Sequence, residues 1–152
     1  MIGKTTSGVS PLIHERKTLI ATAGSPWAVG GVDVFTITGR VLVHRITAYC
    51  TETLVGAGDV LLGTANAIAF FHADTQGPDL LTDTWWGSDG NEYADGVNIN
   101  AVANPAQFTN PVSKALSADI IVTIQDANIT DGTIVFDVWY EPITDNGALA
   151  AA

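Results

Sequence analysis

Residues 131–142 read DGTIVFDVWYEP, and the alternation inside them decides the fold. Ile134, Phe136, Val138 and Tyr140 fall on one face of an extended chain, which marks a strand with a committed inner side. The opposite face reads Val135, Asp137, Trp139 and Glu141. A half-buried strand of an antiparallel sheet ordinarily puts polar residues there. Two large apolar residues on that face require a cover: a neighbouring subunit, an N-terminal arm, or the long 74–95 loop of the same chain.

Similar runs lie to either side. Short stretches rich in Val, Ile, Thr and aromatics alternate with Gly, Asp, Asn and Pro. Strands are expected at Lys17–Ala23, Val32–Thr38, Arg40–Leu54, Asp59–Gly63, Ala67–Ala73, Val97–Val102, Val112–Lys114, Asp119–Asp126 and Thr133–Glu141. Turn-rich passages fall at Asn104–Pro111 and Asn128–Gly132. No stretch of about twelve residues keeps a helical apolar stripe. The fold class is therefore all-β: a two-sheet antiparallel sandwich, jelly-roll-like, with eight to ten strands. Residues 1–16 read as an extended N-terminal arm, 17–142 as the sandwich and 143–152 as a C-terminal tail. Residues 74–95 are long for a structureless connection, so a short helix or hairpin, or a function, is expected there.

Charge narrows the function. Of 152 residues, six are Lys or Arg and sixteen Asp or Glu, a formal net of −10. The acidic body disfavours nucleic acid, whose phosphates draw affinity from basic surfaces. No stretch reaches the ~18 apolar residues of a membrane helix, and no signal peptide is visible in the first residues. Charged residues make up only 14% of the chain, below the roughly 25–35% usual for a free small domain. Neutral and apolar surface of that extent marks a partner surface.

Constellations for chemistry are sparse. The single cysteine, Cys50, lies in an apolar run and reads as a buried, inert thiol. His14, His44 and His72 are isolated; His44 in VLVHRIT reads as half-buried on the side of Leu42 and Ile46. His72 with Asp74 falls short of a zinc site, which needs three or four ligands. Asp89, Asn91, Tyr93 and Asp95 have the oxygen spacing of a calcium loop, but Ala94 and Asn100 replace its glycine and its bidentate glutamate. No nucleophile elbow or phosphate cradle occurs. The chain reads as a non-enzyme with no catalytic residue, cofactor or metal. Adjacent Trp85 and Trp86 cannot both enter one core from an extended backbone, so one must be exposed or covered by a partner. The candidate interface residues are Lys4, Arg16, Lys17, Trp27, Trp85, Trp86, Val135 and Trp139.

The run VDVFTITGRVLVHRITAYCTETL resembles the opening of small virion proteins of tailed bacteriophages. Phe35–Gly39 matches their first strand and turn; Val41, Val43, Ile46, Thr51 and Thr53 approximate the second, with Ala48 in place of a glycine. Gly132, Ile134, Phe136, Val138, Tyr140 and Pro142 resemble their closing strand. The resemblance covers about a third of the chain and carries no catalytic motif. It implies a capsid decoration, or cement, protein on the outer surface of the virion. Such a protein would form a homotrimer, bind the major capsid protein across capsomers and use an N-terminal arm. The alternative is a glycan- or receptor-binding module of a tail or head fibre, using the Trp85/Trp86 loop.

Overall fold

The structure, a computed structural model, describes residues 12–88, 90 and 113–152, and the backbone course of 92–94. The expected strand at 97–102, the turns at 104–111, Lys4 and, of the calcium-like spacing, Asp89, Asn91 and Asp95 lie outside the described residues. Eleven strands are described: β1 (Ile13–Ala21), β2 (Gly30–Thr38), β3 (Val41–Val55), β4 (Asp59–Thr64), β5 (Ala67–Gln76), β6 (Thr84–Trp86), β7 (Glu92–Ala94), β8 (Lys114–Leu116), β9 (Ile120–Gln125), β10 (Asp131–Pro142) and β11 (Ala148–Ala151). One 3₁₀ turn, Gly77–Asp79, is the only helical element among the described residues.

The strands form two antiparallel sheets, as the alternation predicts. The first runs β1-β10-β3-β6-β7, with β8 also on β3; the second runs β11-β2-β9-β4-β5. The core lies between them. Ile134, Phe136 and Val138 of β10 and Val34, Phe35, Ile120, Val122 and Leu62 of the second sheet are fully buried. β10 is central because both its neighbours pair along most of its length: Ile13–Ala21 on one side and Val41–Val55 on the other.

Two boundaries differ from expectation. The sheet begins at Ile13, so residues 13–16 belong to β1 and not to an arm. Their charges obscure the strand: Glu15 and Lys17 share the inward side with Leu19, opposite Val138 and Phe136. Inward charges on an edge strand are a recognised guard against edge-to-edge pairing. The second correction concerns 143–152. Ala148–Ala151 pairs with Phe35–Thr38 as β11, and Leu149 is buried beneath it. Tyr140 Oη donates to Leu149 O at 3.1 Å, so the closing strand of one sheet holds the last strand of the other.

The 74–95 passage is built, not structureless. β5 continues to Gln76, the 3₁₀ turn follows, and β6 and β7 form a hairpin on β3. Chain adjacency fixes the two tryptophans on opposite faces. Trp86 is fully buried and Trp85 lies half-exposed on the outer face. Trp86 Nε1 donates to Thr75 Oγ1 at 2.7 Å, and Thr75 Oγ1 donates on to Gly90 O at 2.6 Å. Removing the hydroxyl with Thr75→Val strands the buried indole N–H, which should cost about 1–3 kcal/mol; a urea midpoint unchanged from wild type would contradict this.

Candidate binding face

Trp139, on the outer side of β10, is partly covered by its own sheet. His14 and Arg45 sit opposite Trp139 on the two flanking strands. The His14 ring stacks on Trp139, with centroids 4.9 Å apart at 28°, and Arg45 Cζ lies 5.1 Å from the indole centroid. Neither the 74–95 passage nor a second subunit is needed to half-bury this tryptophan.

Asp137, next along β10, is buried although it faces outward. Arg16 grips it with two hydrogen bonds, Nε to Oδ1 at 2.8 Å and Nη2 to Oδ2 at 3.0 Å. His14 Nε2 lies 2.5 Å from Oδ1. Burial pushes this carboxyl up, but the hydrogen bonds and charges of Arg16 and His14 together outweigh it and hold Asp137 below the usual carboxylate range. A carboxyl with a lowered folded-state pKa stabilises the fold above the unfolded value of about 3.9, and that stability disappears as pH falls through the lower folded value. Asp137→Asn should therefore lower Tm at pH 6, with the gap to wild type closing below about pH 4. An equal gap at pH 6 and pH 2 would show that the pairing does not carry the effect.

A β-bulge sets the far end of this face. Tyr140 pairs with Val43 while Trp139 pairs with Arg45, so His44 has no opposite residue. The bulge turns His44 outward, away from the side of Ile46, which pairs with inward-facing Val138. Its Nδ1 lies 2.9 Å from Ser113 Oγ and its Nε2 3.3 Å from Glu141 Oε1. The Ser113 contact ties the entry to β8 onto β3, while Nε2 makes no hydrogen bond among the described residues.

Toward the other end the face becomes aromatic and then acidic. Tyr49 stands opposite Val135, and its ring lies 4.7 Å from that of Trp85. Tyr49 Oη donates to Asp83 Oδ1 at 3.1 Å. Thr133 Oγ1 donates to Glu52 Oε2 at 3.0 Å, one register further along.

Of the eight residues expected at an interface, Arg16, Trp85, Val135 and Trp139 share this one face. Lys17 points inward and its Nζ donates to Ala152 O. Trp27 and Trp86 are corrections. Both are core residues, 5% and 0% exposed, and neither can anchor a partner. Trp27 sits in a loop, but it bridges to Ile129 through paired backbone hydrogen bonds that draw it under the sheets. Sequence reasoning put Asp137 on this face but missed His14, Arg45 and Tyr49. The period-2 spacing of His14 and Arg16 in IHER was the available signal, hidden by reading those residues as an arm.

Elsewhere, Cys50 is buried as expected, its Sγ 3.0 Å from Glu52 O. His72 is buried against Trp86, with centroids 5.0 Å apart, while Asp74 is exposed. Asp59 lies at an acidic end of the sandwich. Burial first, then the charge of Asp74 and the hydrogen bond and charge of Asp126, raise its pKa. A raised carboxyl destabilises the folded state above its folded pKa, so Asp59→Asn should raise Tm slightly at pH 7 and leave it unchanged in acid. A lower Tm at pH 7 would refute that sign. Among the described residues, no group of three or more His, Cys, Asp and Glu side chains is placed to hold a metal. Comparison with protein-family models, curated proteins and solved structures returned no match.

Proposed function

We propose that this chain is a structural protein of a virion, of the capsid-decoration kind, acting by binding alone. It would oligomerise on the outer surface of the shell and hold neighbouring copies of the major capsid protein together. Many weak contacts on a repeating lattice add through effective concentration, so no single strong site is required. The observation that carries this reading is the outer face of the first sheet. It presents half-exposed Trp139, Tyr49, Val135 and Trp85 on a chain with only 14% charged residues. Aromatic side chains of that kind anchor protein partners. The resemblance of Phe35–Gly39 and Gly132–Pro142 to phage virion proteins supports the same class.

Cosedimentation with shells assembled from the major capsid protein of the same virus tests it. The folded protein should pellet with shells and stay soluble without them; a folded oligomer that remains in the supernatant at saturating shell overturns the reading. Deleting residues 1–11 keeps β1 whole and tests the arm: full occupancy without them removes the arm's role. The glycan alternative keeps Trp85 beside Tyr49 and Asp83 but loses Trp86 to the core. Silence on a glycan array by the folded protein would dispose of it.

A further inference from the structure

The outer face of the first sheet is electrically lopsided along its strands. At the end where Trp139 lies, His14, Arg16 and Arg45 face outward. Asp137 is taken up by Arg16 and His14, and Glu141 lies beside His44. Arg45 is exposed, rests on an indole and pairs with no carboxylate among the described residues. At the other end, Glu52 and Asp83 are exposed, and among the described residues their carboxylates bond to the hydroxyls of Thr133 and Tyr49 and to no cation. Between the two ends lie Val135, Tyr49 and Trp85, all half-buried. An unpaired cation, an apolar centre and unpaired anions follow one another along a single face.

That order is self-complementary. A two-fold axis through the apolar centre would turn one copy end for end over the other and set Arg45 of each against Glu52 of its mate. The seven steps along β3 from Arg45 to Glu52 span about 23 Å at roughly 3.3 Å each. The midpoint falls at Ala48–Tyr49, and Tyr49 is the register partner of Val135. An apolar centre rimmed by opposite charges is the ordinary anatomy of a specific interface. Two of the sheet edges, β1 and β5, are poor alternatives. β1 carries Glu15 and Lys17 on its inward side, and the backbone of β5 is already engaged where Ala73 N donates to Ser88 O at 3.1 Å.

We propose that the outer face of the first sheet binds a second copy of this chain, face to face and antiparallel, with Arg45 and Glu52 as reciprocal charge partners about a centre at Val135 and Tyr49. The inference rests on the reading of the chain as a self-associating structural protein, and it specifies two copies where the phage resemblance implies three.

Sedimentation equilibrium of the full chain, with a charge-swap cycle, tests it. The wild type should have twice the 15.9 kDa chain mass. R45E and E52K should each weaken pairing more than about tenfold, because each places like charges together at two symmetric positions. The double variant R45E/E52K should restore it. Val135→Cys gives a second readout that tolerates loss of a single-charge variant: with Cys50 buried, mild oxidation should yield a disulfide-linked dimer. A monomeric or trimeric wild type, a swap that fails to restore pairing, or the absence of Val135→Cys cross-linking overturns the proposal. Shell cosedimentation reads the structural role separately, so pairing can fail while that role survives.

Discussion

Trp86→Ala is expected to destabilise the protein by about 3–5 kcal/mol, the range for emptying a large buried aromatic site. Trp86 has no exposed surface and lies opposite Ala48 on β3, whose small side chain leaves the room it fills. Across the core it meets the His72 ring of β5, and its N–H is bonded to Thr75. Its loss would open a cavity between the two sheets and leave Thr75 without its donor. Neighbouring Trp85 supplies the control. It lies half-exposed on the outer face against Tyr49, so Trp85→Ala should cost less than about 1 kcal/mol of monomer stability. Urea denaturation of both variants decides the matter. Equal shifts in midpoint would mean that the two indoles are not divided between core and face.

Gly56→Ala is expected to cost about 2–4 kcal/mol, from backbone strain together with overpacking. Gly56 adopts φ +131°, a region that side-chain-bearing residues avoid. A methyl group there would also collide with the carbonyl of Asn128. The position matters because the chain changes sheets at this point, from β3 in the first to β4 in the second. The return crossing, from β9 to β10, lies directly against it, and Thr130 N donates to Val55 O at 2.7 Å. Two crossovers are packed backbone to backbone, so neither can shift to admit a side chain. Gly24 has open space around the same substitution, and Gly24→Ala should leave the thermal midpoint near that of wild type. If Gly56→Ala melts with it, the crossover is softer than its geometry implies.

The strands whose side chains alternate cleanly could be read from sequence. Ile134, Phe136, Val138 and Tyr140 are buried as their spacing requires, and the division of Trp85 from Trp86 follows from adjacency in an extended chain. β1 and β11 were hidden for physical reasons. β1 is an edge strand whose protective charges occupy apolar positions. β11 is four residues, three of them alanine, and it depends on β2 and on Tyr140 for its place. The candidate face was half legible. Trp139 and Val135 stood out as apolar residues on the wrong side of β10. What covers Trp139 was not legible, because His14 and Arg45 lie more than ninety positions away and only register brings them together. The outward turn of His44 was beyond any period-2 rule, because one bulge residue inverts everything past it.

The pairing of β1 with β10 also has a consequence in time. His14 and Asp137 are 123 positions apart, and at ribosomal rates of about 5–20 residues per second the second is made roughly 6–25 s after the first. Throughout that interval Leu19 and Ile20 are present without the strand that will receive them. Glu15, Arg16 and Lys17 are what the nascent segment shows to other chains meanwhile. Glu15 and Lys17, which sit awkwardly on the inward side of the finished sheet, are well placed to keep an unfinished one from pairing with the wrong neighbour.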